Sequence, residues 1–371
     1  MELADPCYKA SMKQAKRRSP DTPAPGADDD RARIWRGIVG PGGATRADIY
    51  VAETAEVLSR SQIRARSAVI RVNGSVVKPS RPLKAGDRIE VLWREEDSVS
   101  LDAEDIPLAV LYQDERVIAI DKAQGMVTHP GAGNRRGTLA NAVLYIALRE
   151  RASRGDLSDG TALRPAPARA GIVHRLDKDT SGVIVAAKDL EAQVFLSGQF
   201  KERSARKEYL AITRGIPLPP SGRIADRLGR DKRDRKRFAA VPEGGKPAVT
   251  DYRVLSSWSA QIGGGVPGGG YSLVSLRPRT GRTHQLRVHM AGLGAPILGD
   301  PIYGKKDGTF PDASLMLHSY RLKIALPGAE MPVIFTAPLP RRFRETLDAL
   351  ASAFGRGSPS LYRGGRPDQV P

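Results

Sequence analysis

Residues 171–189 read GIVHRLDKDTSGVIVAAKD. Two apolar, strand-like stretches, GIV and VIVAA, flank the polar turn His174-Arg175-Leu176-Asp177-Lys178-Asp179-Thr180-Ser181-Gly182. A turn so placed can hold a carboxylate at the edge of a sheet, facing a cleft. Thr180 and Ser181 can bond nearby backbone and fix it. On these residues alone, a structural turn role for Asp177 or Asp179 is the stronger reading.

The strand pattern continues outward. RKEYLAITRG, AVTDYRVLSSW, YSLVSLRP, LHSYRLKIAL and VIFTAPLP follow downstream, and RVIAIDKAQG precedes. Helical spacing appears in TLANAVLYIALRE after a Gly-rich loop, in LEAQVFLSGQFKER, near THQLRVHMAGLG and in RRFRETLDALASAF. Regular crossover helices do not separate the strands. The expectation is an α+β catalytic domain over residues 109–355, with a mixed, largely antiparallel sheet and flanking helices.

Before it, residues 44–98 predict a small helix-plus-hairpin domain. SRSQIRARSAVI has helical spacing, and Asn73-Gly74 between β-branched residues is a strong hairpin signal, since both turn positions need positive φ. Residues 99–108 are acidic and read as a linker. Residues 1–43, mixing Pro, Gly, Asp and basic residues, and residues 356–371 read as disordered tails.

Net charge is +18, from 59 Lys and Arg against 41 Asp and Glu, a surplus that favours a polyanionic partner. No apolar run is long enough to span a membrane, and the first residues lack the apolar core of a secretory signal, so the expected location is the cytoplasm. The single cysteine, Cys7, excludes an intramolecular disulfide and a four-cysteine zinc site. His284 and His289 are five apart and do not share the face of a helical zinc motif, so no metal is expected. The run RLGRDKRDRKR at 227–237 reads as a loop, either solvated or in contact with phosphate.

HRLDKDTSG resembles the HRLD-x-x-TSG signature of the RluA family of pseudouridine synthases. VTHPGAGN, RKEYLAITRG, KPAVTDYRVL, TGRTHQLRVHMA, LGDPIYG and LHSYRL fit the same family, over roughly residues 105–340 with inserted loops at 151–168 and 259–270. Residues 44–98 resemble an S-four RNA-binding domain, with Arg46-Ala47-Asp48-Ile49 standing where that domain has Arg-Leu-Asp.

The resemblance implies an isomerase acting on uridine in structured RNA, without a cofactor. It implies Asp177 as the catalytic carboxylate and Arg287 as its partner. Tyr209 packs beside the base, Leu286 lines the pocket, and Arg175 fills the space of the flipped-out uridine. It further implies large-subunit ribosomal RNA as substrate ahead of tRNA. Arg60, Arg64 and Arg66 on the basic helix are candidate RNA contacts, and a monomer is expected. Two other classes compete: a non-catalytic RNA-binding factor that kept the fold, and a DNA-binding protein using the helix at 59–71. The presence of Asp177, Tyr209 and Arg287 disfavours the first. The lack of a helix-turn-helix pair or dimer zipper disfavours the second.

Overall fold

The computed structural model describes residues 32–41, 45–58, 60–94, 101–131, 133–155, 171–231, 233–234, 236–259, 270–355 and 358–359. The part of the expected N-terminal tail before residue 32, most of both inserted loops, and the tail after 359 lie outside the described residues. The chain divides into two compact units, residues 1–99 and 100–371.

The first unit runs β1 (Ala32–Ile38), α1 (Ala47–Ile49) continuing into a wider turn at Tyr50–Thr54, α2 (Arg60–Ala65), β2 (Val69–Val72), β3 (Ser75–Val77) and β4 (Arg88–Arg94). Its sheet has the order β1-β4-β2-β3, antiparallel throughout. The expected hairpin is present: Asn73 and Gly74 take φ of 51° and 83° between β2 and β3. Ile63, Ile70, Leu83, Ile89 and Val91 form the core.

One expectation needs correction. Residues 32–38, read as part of a disordered tail, form β1 and pair with β4 from Ala32↔Arg94 to Ile38↔Arg88. Interleaved arginines and the exposed Ile34 and Ile38 hide the strand from a hydrophobicity reading. What holds it is backbone pairing along β4, which removes an otherwise open edge.

The second unit contains β5 (Ala109–Gln113), β6 (Val117–Lys122), α3 (Leu139–Ser153), β7 (Ser181–Ala187), α4 (Leu190–Glu202), β8 (Arg206–Arg214), β9 (Ser221–Arg230), β10 (Phe238–Ala240), β11 (Lys246–Trp258), β12 (Tyr271–Pro278), α5 (Gln285–Gly292), β13 (Leu317–Ile324), β14 (Val333–Thr336), α6 (Arg341–Phe354) and β15 (Ser358–Pro359). One sheet has the order β10-β9-β11-β12-β8-β13-β7-β6-β5, with β14 on β13 and β15 on β11. Among the described strands of this sheet, β7 and β13 alone pair in parallel; the other strand pairings are antiparallel. This is the α+β arrangement expected.

The centre of the sheet is covered on both faces, and the side-chain alternation shows how. Val117, Ala119, Val183 and Val185 pack with Leu196 of α4. Ile118, Ile120, Ile184 and Ala186 point the other way, toward Leu139 and Val143 of α3. Each valine or isoleucine so buried stabilises by about 1.5–3 kcal/mol. At the parallel seam, Gly182 has φ 108°, and a Cβ there would stand 2.2 Å from the Ser319 carbonyl oxygen, so no side chain fits.

Two boundaries shift. The expected linker, in its described part, lies on the second unit: Leu101 is buried in the core, and Asn141 Nδ2 donates to the Asp102 carbonyl at 2.8 Å. Acidic composition misled here, because Asp102 accepts from Arg136 at 2.8 Å. The basic run at 227–237 is not wholly a loop either. Arg227–Arg230 belong to β9, and the Asp231 N–H donates to the Arg237 carbonyl at 3.0 Å just before β10.

Candidate active site

Residues 172–180 enter β7 through a turn held from beneath. Thr128 Oγ1 donates to the Leu176 carbonyl at 2.8 Å. Lys122, wholly buried at the end of β6, donates from Nζ to the carbonyls of Ala123, Met126 and Lys178 at 2.9, 2.8 and 3.2 Å. The Thr180 N–H closes the turn onto the Asp177 carbonyl at 3.1 Å. Burial pushes the Lys122 ammonium down to about 8, although Asp179 and Asp177 favour its charge. The buried ammonium thus ties the backbone just after Asp177, and Thr128 the backbone just before it.

His174 anchors the same turn. Its Nε2 accepts from the Val185 N–H at 3.0 Å, and its ring stacks on Phe200 at 4.4 Å. Burial, aided by Lys207, pushes it down to about 3, so it is neutral and structural at neutral pH.

Asp177 faces a cavity of about 480 Å³ that Arg175, Leu176, Lys207, Tyr209, His284, Leu286 and Arg287 also line. The cavity therefore brings together five candidates predicted from sequence: Asp177, Arg287, Tyr209, Leu286 and Arg175. Arg287 Nη1 lies 3.7 Å from Asp177 Oδ2. Tyr209 is 8% exposed, and burial, with Asp177 adding to it, pushes its hydroxyl up to about 12, so it remains protonated at neutral pH. Arg175 is exposed.

Four contributors were missed from sequence. Arg287, itself buried on α5, gives its Nε and Nη2 to Asp300 at 2.7 Å each, a two-point pair. Asp300 also accepts from the Ile302 and Tyr303 N–H groups at 2.9 and 3.0 Å. Burial opposes the charge on Asp300, but Arg287 and these amides outweigh it and hold the carboxyl below its usual value. Tyr303 stacks under the Arg287 guanidinium at 5.2 Å and bonds His284 Nδ1 through its hydroxyl at 2.9 Å. His284, in the left-handed region at φ 55°, brings Nε2 to 4.0 Å from Asp177 Oδ2. Lys207 is the fourth. The available signals were the Gly-Asp-Pro turn around Asp300 and the alternate placing of Lys207 and Tyr209 on one strand face.

The arrangement has a chemical consequence. Asp300 takes the two-point face of Arg287, leaving one amino group toward Asp177 at a length beyond a hydrogen bond. Asp177 thus has a cation 3.7 Å away whose orientation is fixed by Asp300. Among the described residues, no cluster of histidine, cysteine and carboxylates fit to hold a metal is found.

The remaining candidates lie in the first unit. Arg60 is tied to Asp48 at 3.2 Å, together with Arg46 at 2.9 Å. Burial opposes the charge on Asp48, but the two arginines outweigh it and hold the carboxyl low. Arg60 is therefore partly a structural residue. Arg64 is exposed on α2, and Arg66, just beyond its end, is half-buried.

Comparison with known proteins identifies the family. The family described as RNA pseudouridylate synthase matches residues 116–292. The chain is 39% identical over 317 residues to "Ribosomal large subunit pseudouridine synthase D" of Borreliella burgdorferi, covering 84% of this chain and 91% of that protein. It is 38% identical over 341 residues to the protein of the same name from Xylella fastidiosa, covering 87% and 94%. The solved structure of human RNA pseudouridylate synthase domain containing 1 overlays with a TM-score of 0.51 at 27% identity, covering 72% of this chain and 94% of that one. With the relatives matched across nearly their whole length, the chain belongs to the RNA pseudouridine synthase family.

Proposed function

We propose that this protein isomerises specific uridines to pseudouridine in large-subunit ribosomal RNA, with Asp177 as the catalytic carboxylate. The observation that carries the reading is the convergence of Asp177, Arg287 and Tyr209 on one cavity, with the guanidinium 3.7 Å from the carboxylate. The ribosomal substrate follows from the names of the relatives.

In this reaction the bond from uracil N1 to sugar C1′ breaks, the base turns, and C5 bonds to C1′. C5 releases its proton and N1 gains one, so no atom is gained overall and no cofactor is required. Asp177 acts as a carboxylate, as a base toward the sugar or as a nucleophile, with the Arg287 guanidinium 3.7 Å away. The target base must first leave its stack, at a cost of a few kcal/mol. Arg175, exposed at the cavity mouth, is suited to fill the gap. Tyr209 offers a flat face and a protonated hydroxyl to the base. The protein works as a monomer in the cytoplasm; among the described residues no helix is long and apolar enough to cross a membrane.

Tritium release from RNA carrying tritium at uridine C5 tests the reading. Asp177→Asn is expected to abolish release while RNA affinity stays within about tenfold, or 1.4 kcal/mol. Turnover retained in that variant removes Asp177 from the reaction.

A further inference from the structure

A second cavity, of about 690 Å³, opens beside the active site and shares Arg203, Lys207, Pro278 and Arg279 with it. It is bounded by charged side chains that the register of the sheet places in two rows. The first row alternates in sign across five strands. Arg223 on β9 pairs with Asp251 on β11, Asp251 is opposite Arg277 on β12, Arg277 bonds Glu208 on β8 at 3.1 Å, and Glu208 is opposite Arg321 on β13. Charges directly opposite on neighbouring strands stabilise when their signs differ. Both carboxylates of this row are engaged by arginines on neighbouring strands.

The second row, two residues along, does not alternate. Arg206 on β8 is directly opposite Lys323 on β13, and both are exposed. Arg279, just past the end of β12, bonds back to Asp251 in the first row at 2.7 Å. Among the described residues, neither Arg206 nor Lys323 makes an ion pair. Like charges opposite one another destabilise a sheet. Lys207, the next residue of β8, faces the other side of the sheet with Tyr209 and lines both cavities, adding a half-buried ammonium whose charge burial disfavours. Its Nζ lies 3.7 Å from where a Cβ of Gly281 would stand, on the loop leading into α5.

We propose that Arg206, Lys323 and Lys207 form a phosphate-binding track that holds the RNA backbone next to the target uridine. The proposal rests on the RNA reading above. Its physical basis is that an uncompensated cationic row, costly to the free sheet, becomes favourable when a polyanion supplies the missing charge. The shared wall sets where that polyanion runs. A phosphodiester on the row passes round the start of β8, where the two cavities share Arg203 and Arg279, to reach Lys207 and the cavity that holds Asp177, so the track guides the strand that delivers the base.

The test is Arg206→Gln with Lys323→Gln in the full chain, titrated against a large-subunit ribosomal RNA transcript over a KCl series. With two phosphates no longer neutralised, the slope of log affinity on log salt should fall by about 1.4–1.8, and binding at low salt should weaken by roughly tenfold or more. The melting temperature should hold or rise, since a like-charge pair is removed. A charge-matched control, Arg149→Gln with Arg344→Gln on α3 and α6, should leave the slope unchanged, and Arg206→Lys should keep it near wild type. A double-variant slope no different from the control overturns the track. A melting temperature that falls in step with binding also overturns it, since the row would then be holding the sheet. A wild-type protein that releases no tritium from any RNA would instead refute the isomerase reading, and the salt slope still tests the track by itself.

Discussion

Arg287 serves two carboxylates unequally, and that inequality is the chemical feature of the site. Asp300 is buried and binds the guanidinium at two points, whereas Asp177 lies 3.7 Å from its remaining amino group. Asp300→Ala should therefore harm both stability and activity, because it leaves a buried guanidinium with neither its orientation nor its main counter-charge. Breaking a buried pair from one side costs about 3–5 kcal/mol, measurable by urea denaturation. A loss below about 1 kcal/mol would mean that Asp177 or water takes over the partnership. A second residue sets a pH limit. His318 is buried between Ser181 Oγ at 2.9 Å and the Ala337 carbonyl, and burial pushes it down to about 4. Unfolded, it titrates near 6.5, so between those values the unfolded chain binds the extra proton. Stability from this group is complete above about pH 6.5 and falls with pH toward about 4, by about 3 kcal/mol in all. In His318→Asn that part of the acid dependence should disappear from a pH series of melting curves; an unchanged dependence would assign it to other groups.

At the scale of elements, the central strands and the helices were legible because their apolar spacing is imposed by burial on both faces of one sheet. The same holds for the Asn73-Gly74 turn, whose backbone demands leave few residue choices. What could not be read shares a different cause. β1 and β9 carry arginines on exposed faces and persist through backbone pairing, which leaves little trace in side-chain pattern. His284 meets Tyr303, and Arg287 meets Asp300, only because the turn after α5 folds back on it, and no spacing rule links residues 19 or 13 apart. Asp177, Arg287, Tyr209, Leu286 and Arg175 were identified through motif resemblance, since their spacing in sequence implies no contact. The parallel seam offers an element-scale test. Gly182→Ala would place a methyl 2.2 Å from the Ser319 carbonyl oxygen at a φ of 108°. The strained conformation alone costs about 1–3 kcal/mol, and separating β7 from β13 adds to it. Because β7 begins where the Asp177 turn ends, activity should fall with stability. A variant that melts like wild type would show that the seam yields at no cost.

For the whole molecule, two units raise the question of what the first contributes. A cavity that accepts one base reads few nucleotides, so selecting a site in a large folded RNA needs contacts elsewhere. The first unit has a small core and displays arginines on and beside α2. Arg60 is partly engaged by Asp48, which leaves Arg64 and Arg66 as its better candidates for phosphate contact. The boundary matters to the experiment. A cut after residue 43 would strip β1 from β4 and expose an unpaired strand edge, so poor behaviour of such a truncation would report on folding rather than on RNA. Removing residues 1–99 takes the unit out whole. The remaining chain keeps Asp177, Arg287, Tyr209 and the basic track. It should release tritium from a short stem-loop at close to the full-length rate. On large-subunit ribosomal RNA it should bind more weakly and with a flatter salt dependence, by about 0.7–0.9 in slope for each phosphate that the first unit neutralises. Equal binding of the two proteins to ribosomal RNA, measured in the same salt series, would show that the first unit does not anchor the substrate and that the catalytic unit selects its uridine alone.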